Sequence, residues 1–150
     1  MSILQSVTSN VLGLFYEEAQ VARLLTFAES VGGFVVPDAA GISDRHIQFD
    51  APGVLDGSLP VVFFQTTADA DKASFSVRLN SGPHLVEATI ENDRSPHSWN
   101  KLARAGSLMP EHNELVFGVN EGAVTFSDVF IVYTSSQLTV KKQRTVVATQ

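Results

Sequence analysis

Short apolar segments that alternate with polar residues recur along the chain at intervals of about ten residues. The stretch from Ser74 to Asn80 shows the pattern most clearly, because Phe75, Val77 and Leu79 alternate with polar side chains. A period of two residues is typical of a strand with one buried face. Glycine, proline, asparagine and aspartate separate the segments, and these residues favour turns. The pattern predicts eight to nine strands and an all-β fold, an antiparallel β-sandwich or jelly roll.

Two pairs of segments carry the turn chemistry of hairpins. The turn Ser81-Gly82-Pro83 joins the strand ending at Asn80 to a second strand over His84 to Glu91. Asn120-Glu121-Gly122 joins the two apolar halves of the segment Asn113 to Thr134. An Asn and a Gly supply the positive φ angles that a tight turn requires. We therefore expect Asn113 to Thr134 to be a central, largely buried hairpin.

The second half of that segment contains a change in its alternation. Val124 and Phe126 occupy even positions, whereas Val129, Ile131 and Tyr133 occupy odd ones. The extra residue at Ser127-Asp128 predicts a β-bulge, because one inserted residue moves the following side chains to the other face. We expect Asp128 to stabilise the bulge and not to bind a ligand.

Further strands are predicted at Phe34 to Val36, His46 to Asp50, Val61 to Phe64 and Ser98 to Ala103. Residues 1–30 fit two interpretations. Val21 to Phe27 fits a strand, and Phe15, Ala19 and Ala22 also fit a helical stripe. Strands are preferred because Gly13 and several β-branched residues suit an extended chain. The length of 150 residues, without a linker or repeat, predicts one domain over 1–150 that ends in a polar tail at 137–150.

Composition narrows the classes of function. The absence of cysteine removes disulfides, thiolate metal sites and cysteine nucleophiles. A net charge of −6 with scattered basic residues argues against nucleic acid as a partner. The local basic group at Lys141, Lys142 and Arg144 is interpreted as part of a solvated tail. Ten phenylalanines against one tryptophan and two tyrosines are typical of a core and not of a wet interface.

Two sequence features bear on localisation. Arg23 is the first basic residue, so the amino terminus has no charged region followed by an apolar stretch, and we expect no signal peptide. No apolar run reaches the roughly 18 to 20 residues of a membrane span, and no membrane partner is expected. A cytoplasmic location is the default expectation, and export without a Sec signal remains open.

An ordered set of elements in the second half carries a resemblance to a known family. The set comprises SFSVRLNSG (Ser74 to Gly82), HSW (His97 to Trp99), NELVFGV (Asn113 to Val119) and VTFSDVFIVY (Val124 to Tyr133). In this order the segments resemble the galactose-binding-domain-like modules, jelly-roll domains attached to many sugar-processing enzymes. The resemblance implies the fold, and it reproduces no sugar-contacting residue in particular.

The chain lacks the common catalytic and cofactor motifs. It contains no HExxH, no GxSxG and no glycine-rich phosphate loop. The four histidines, His46, His84, His97 and His112, are not spaced as metal ligands, so surface positions are expected. The segment Asp69 to Lys72 begins like a calcium loop, but Ser74 and Asn80 replace its glycine and glutamate. We predict no cofactor, with a structural calcium ion left open.

Acidic residues offer no catalytic pair. A glycosidase needs two carboxylates about 5 to 10 Å apart, one of them with a raised pKa. Glu87, Glu91 and Glu114 are interpreted as exposed carboxylates that keep a sheet soluble and protect its edge. The sequence therefore predicts that the protein is not an enzyme.

The candidate ligand site lies around the single tryptophan. Trp99 is interpreted first as a core residue and second as a stacking platform for a sugar ring. In the second interpretation the neighbouring Asn92, Asp93, Arg94 and His97 supply amide, carboxylate and cationic groups for hydroxyls.

The pattern of apolar residues and the lack of catalytic and cofactor motifs lead to two hypotheses of function. The leading hypothesis is a non-catalytic β-sandwich binding module whose small ligand is a carbohydrate. The alternative is a homo-oligomeric structural subunit of a viral, phage-like or bacterial particle, suggested by the apolar amino-terminal segment and by strands that are apolar on both sides. An enzyme is the third and least favoured hypothesis.

Overall fold

The structure is a computed structural model that describes residues 23–28 and 33–136. Nine β-strands are present in these ranges, and no helix in them is long and apolar enough to cross a membrane. The strands are β1 (Arg23–Ala28), β2 (Phe34–Val36), β3 (Asp44–Phe49), β4 (Val61–Ala68), β5 (Lys72–Leu79), β6 (His84–Glu91), β7 (His97–Leu102), β8 (Asn113–Glu121) and β9 (Val124–Ser135).

The strands form two antiparallel sheets. Sheet A has five strands in the order β1-β9-β4-β7, and β2 also pairs with β9. Sheet B has four strands in the order β3-β8-β5-β6. From β2 onward each strand is followed by one in the other sheet, except for β5 and β6, which form a hairpin. This alternation is the topology of a jelly roll, so the prediction of an all-β sandwich is confirmed.

The core lies between the two sheets and is dominated by phenylalanine. Phe64 and Phe126 come from sheet A, Phe75 and Phe117 come from sheet B, and each is at most 1% exposed. Phe117 contacts Phe126 at 4.9 Å and Phe64 at 5.8 Å between ring centroids. Phe75 meets Phe126 edge-on at 5.6 Å. Burial of each ring contributes about 1.5–3 kcal/mol to the stability of the fold, so this cluster is the main stabilising contact between the sheets.

The prediction of a hairpin over Asn113 to Thr134 was wrong. Both strands exist, but β8 pairs with β3 and β5 in sheet B, whereas β9 pairs with β1, β2 and β4 in sheet A. The two strands stack face to face because each has an apolar face to bury, and Phe117 meets Phe126 across the core. A turn with a positive φ at Gly122 serves such a connection between sheets as well as it serves a hairpin.

Two connections between the sheets lie side by side at one end of the sandwich. Asp69 follows β4, and its amide donates to the carbonyl of Ala123 at 2.9 Å. Its carboxylate accepts a hydrogen bond from the Thr125 hydroxyl at 2.7 Å. Gly122 has a φ of 70°, and a Cβ at this position would lie 2.3 Å from the carbonyl oxygen of Lys72. The two connections therefore pack so closely that only glycine fits between them.

The predicted bulge in β9 is confirmed. The pairing between β4 and β9 shifts by one residue between Phe63 and Gln65, so the extra residue lies in β9 near Asp128. Asp128 has a φ of 50°, in the left-handed region that aspartate tolerates better than most residues. Buried positions in β9 are even before the bulge and odd after it, as the sequence pattern predicts.

Most other strand predictions agree with the structure. The hairpin of β5 and β6 is confirmed, with Phe75, Val77 and Leu79 buried. A strand over Val21 to Phe27 is confirmed from Arg23 onward, in β1. The assignments for residues 1–22 and 29–30, and the polar tail at 137–150, lie outside the described residues.

Replacement of Gly122 by alanine should destabilise the protein by about 3 kcal/mol, because it adds a close contact to a left-handed backbone. Gly41 provides a matched control: its φ is 80°, but a Cβ there would meet nothing within 4 Å. Gly41→Ala should cost about 1 kcal/mol from backbone conformation alone. Urea unfolding of both variants measures the difference. Equal losses of stability would contradict the close packing of the two connections.

Candidate functional site

A buried asparagine organises the end of the sandwich opposite the Gly122 connection. Asn113, fully buried at the start of β8, accepts hydrogen bonds from the Met109 amide at 2.8 Å and from Asn80 Nδ2 at 3.1 Å. Its own Nδ2 donates to the Met109 carbonyl at 2.6 Å. Asn80 also accepts from the Glu114 amide at 2.8 Å. These bonds hold the connection between β7 and β8 against the start of β8.

A shallow cavity of about 350 Å³ lies beside this network, between the end of β3 and the start of β8. Its lining residues are Gln48, Phe49, Asp50, His112, Asn113 and Glu114. The His112 amide donates to the Asp50 carboxylate at 3.0 Å, and His112 has a φ of 61°. This bond ties the two walls of the cavity together, although the residues are 62 positions apart in the sequence.

His46 lies next to the cavity on the outer side of β3. Its Nδ1 is 2.6 Å from Glu114 Oε1, and its Nε2 is 2.9 Å from Asp44 Oδ2. The hydrogen bond to Asp44, followed by the bond to Glu114, raises the pKa of His46 above its ordinary value of 6.5. Both ring nitrogens face carboxylates, so the protonated imidazolium, with two N–H donors, fits this position best.

The cavity opens onto a polar outer surface of sheet B, which we call the polar face. Its outward residues include Asp44, His46 and Gln48 on β3, Glu114, Val116 and Gly118 on β8, Ser76 and Arg78 on β5, and His84 and Glu87 on β6. His84 Nδ1 hydrogen-bonds Glu87. Arg78 Nε is buried without a hydrogen-bond partner among the described residues.

The loop of the sequence-predicted site lies at the other end of the sandwich, between β6 and β7. Asp93 accepts hydrogen bonds from the Ser95 hydroxyl and from the Ser95 amide, and these bonds lower the pKa of Asp93. His97 Nε2 lies 3.0 Å from the Asp93 carboxylate and also lowers its pKa. The Arg94 guanidinium pairs with Asp71 at 3.0 Å, and the Asn92 amide donates to the Asp71 carbonyl at 2.6 Å. The structure therefore brings Asp93 and His97 together, while Arg94 turns to the neighbouring connection.

Trp99 packs against the core on the inner side of the edge strand β7. Its ring is nearly parallel to Phe64 at 6.2 Å and meets Phe75 edge-on at 5.4 Å. Its N–H donates to the Thr66 hydroxyl at 2.8 Å, and Lys101 Nζ lies 5.8 Å from the ring centroid. This packing agrees with the first of the two interpretations of Trp99. Ligand binding by Trp99, Asn92, Asp93, Arg94 and His97 stays a prediction.

Sequence reasoning missed the cavity because its walls come from distant parts of the chain. Gln48 and Glu114 become neighbours through the pairing of β3 with β8. The one available signal was Asn113, an asparagine directly before a strongly apolar strand. Among the described residues there is no group of three or more histidine, aspartate or glutamate side chains that could hold a metal ion.

Comparisons of the fold find jelly-roll proteins of several kinds. An exo-β-1,3-galactanase of Phanerochaete chrysosporium, solved with galactose, has a TM-score of 0.42 and 16% identity over 75% of this chain. This chain spans only 30% of that protein. The coat protein of tobacco streak virus has a TM-score of 0.48 and 10% identity, over 84% of this chain and 95% of the coat protein.

A CBM36-1 domain of a multidomain xylanase, from the hindgut metagenome of Trinervitermes trinervoides, has a TM-score of 0.46 and 10% identity. The match covers 73% of this chain and 84% of that domain. Carbohydrate-binding modules are among the similar structures, and at these identities the likeness concerns the fold alone. No family model and no curated protein sequence matches the chain.

The His46 pKa provides a test of the site's geometry. A proton titration followed by NMR should place it above the ordinary value, and Asp44→Asn should lower it. Because the folded pKa is raised, His46 contributes stability fully below the unfolded pKa of about 6.5, and the contribution is lost as pH rises through the folded pKa. Asp69→Asn, at the far end, should leave the titration unchanged. If the His46 pKa is the same in Asp44→Asn as in the unchanged protein, the result would contradict the contacts of His46 with the two carboxylates.

Proposed function

We propose that the protein is a non-catalytic binding module that holds a carbohydrate in the cavity between β3 and β8. The observation that carries the proposal is the set of lining groups. Gln48 supplies an amide, Asp50 and Glu114 supply carboxylates, and His112 supplies an imidazole, around a space of about 350 Å³. That volume is within the range of small-molecule sites.

The chemistry of these groups suits sugar hydroxyls. A hydroxyl both donates and accepts a hydrogen bond, and planar amide and carboxylate groups meet two neighbouring hydroxyls at once. The cavity walls are held before any ligand arrives, by the bond from His112 to Asp50 and by the buried Asn113. A preformed site loses less conformational entropy on binding. The cavity is shallow and polar, so a modest affinity is expected.

The same contacts favour binding over catalysis. A glycosidase requires one carboxyl that stays protonated in an apolar environment and a second, ionised one. Glu114 instead faces the cationic partner His46 at 2.6 Å, and Asp50 accepts the His112 amide at 3.0 Å. Each carboxylate thus helps to hold the walls through one contact and keeps further lone pairs that can accept from sugar hydroxyls. The loop around Asn92, Asp93, Arg94 and His97, beside Trp99, is a second proposed location for the same kind of ligand.

Calorimetry with sugars chosen from a glycan array tests the proposal. Gln48→Ala removes one hydrogen-bonding group and should weaken sugar binding about 3- to 10-fold, and Glu114→Gln should weaken it about tenfold. The matched control is Glu87→Gln, which changes a carboxylate on the same face outside the cavity and should leave the affinity unchanged. Absence of any bound glycan would contradict the function. Binding that survives Gln48→Ala and is lost in Trp99→Ala would move the site to the loop.

A self-associating subunit is the second candidate, because the outer side of sheet A is apolar. Phe63 and Phe130 stack there at 4.6 Å, and Leu102 is 62% exposed. Light scattering separates the candidates. A binding module keeps its monomer mass as the protein concentration rises. The mass of an assembly subunit increases with concentration, and the Leu102→Lys variant should stay a monomer.

A further inference from the structure

Arg78 lies on the polar face, on the inner strand β5. It pairs with Val116 of β8 on one side and with His84 of β6 on the other. The main chain of β5 lies between these two strands, so the exposed part of this half-buried residue belongs to its side chain. In the part of the chain that the structure describes, Arg78 Nε is the one buried side-chain nitrogen or oxygen without a hydrogen-bond partner. A buried donor without an acceptor is unfavourable, and a ligand that supplies the acceptor gains affinity from it.

The other cationic side chains of the polar face already have carboxylate partners. The pairs are His46 with Asp44 and Glu114, His84 with Glu87, and, at the far end of the face, Lys72 with Glu91 and Glu121. Arg78 forms no ion pair within residues 23–28 and 33–136. Its charge is therefore the one on this face that the described carboxylates do not balance.

The side chain of Arg78 is held along the sheet. Val116 lies between His46 and Arg78 and points outward, because its neighbours Leu115 and Phe117 are buried in the core. Val116 is nevertheless only 8% exposed. A valine on the outer side of a sheet is buried to this extent when long side chains beside it lie across it, and Arg78 and His46 are those neighbours. The guanidinium is thus restricted before a ligand binds, which lowers the entropy cost of binding.

Arg78 is also close to the cavity between β3 and β8. Glu114, in the cavity wall, precedes Val116 by two residues and faces the same side of the sheet. Arg78 and Glu114 are therefore diagonal neighbours, and in such pairs the Cβ atoms lie about 7–8 Å apart. An oligosaccharide with one unit in the cavity can reach Arg78 with the next unit.

We propose that Arg78 binds the carboxylate of a uronic acid, next to a neutral sugar unit in the cavity. The inference rests on the proposed function and narrows its ligand from a carbohydrate to an acidic carbohydrate. A guanidinium presents Nε–H and one Nη–H as parallel donors, which match the two oxygens of a carboxylate, and rotation of the flexible side chain turns this edge to the ligand. The acidic unit lies outside the cavity because Asp50 and Glu114 would repel it there.

NMR of the Arg78 side chain tests recognition of the acidic group directly. The isotope-labelled full chain is titrated at constant ionic strength with glucuronate, with glucose and with inorganic sulfate, and the Nε–H resonance of Arg78 is followed. We expect a saturable shift with glucuronate and only a small one with glucose or sulfate. No shift with glucuronate, or equal shifts with glucuronate and glucose, would overturn the inference. An equal shift with sulfate would also overturn it, in favour of a site for free inorganic anions.

Matched variants test the same contact in the affinity for a glycan that carries a uronic acid, measured by calorimetry. Arg78→Met keeps a long stem over Val116 but removes the charge, and it should weaken binding about 10- to 100-fold. Arg78→Lys keeps the charge without the parallel donors and should weaken it about 3- to 10-fold. The control Lys72→Met removes a paired cation at the far end of the same face and should leave the affinity unchanged. Equal affinities of Arg78→Met and Lys72→Met would contradict the proposed contact.

A glycan array with neutral, uronic-acid and sulfated members separates this inference from the function on which it rests. We expect the bound set to include glycans with a uronic acid, and Arg78→Met to lose them. A bound set of neutral or sulfated glycans alone would overturn the inference and leave the proposed function standing. Absence of any bound glycan would overturn both.

Discussion

The contact between Phe117 and Phe126 across the core is the constraint on which the rest of the structure depends. These rings come from the last two described strands, β8 and β9, which lie in different sheets, and the rings meet at 4.9 Å between centroids. Each strand is then free to take partners on both sides within its own sheet. The jelly-roll order follows, because β8 becomes an inner strand of sheet B and β9 an inner strand of sheet A.

The same arrangement produces the two chemically distinct outer surfaces. The outward side of β8 carries Glu114 next to His46 of β3, so sheet B presents hydrogen-bonding groups beside a preformed cavity. The outward side of β9 carries Phe130 and Val132 next to Phe63, so sheet A presents an apolar surface. One outer surface is therefore polar and the other is apolar at one end.

The sequence predicts the local features of this fold well and the long-range ones poorly. Period-two alternation identifies the hairpin of β5 and β6 and the bulge at Asp128, because both depend on neighbouring residues. It cannot distinguish a turn within a sheet from a turn between sheets, since Gly122 supplies the same positive φ to either. The sequence does not predict the cavity, because its walls are joined by contacts such as the one from the His112 amide to the Asp50 carboxylate, 62 residues apart.

The most direct test of this account is an NMR titration of the full chain with a glycan that binds it, with all amides monitored. The account predicts that the largest shift changes occur at Gln48, Asp50, His112 and Glu114, on the walls of the cavity. Changes concentrated at residues 92–97 and Trp99, with the cavity residues unmoved, would contradict it.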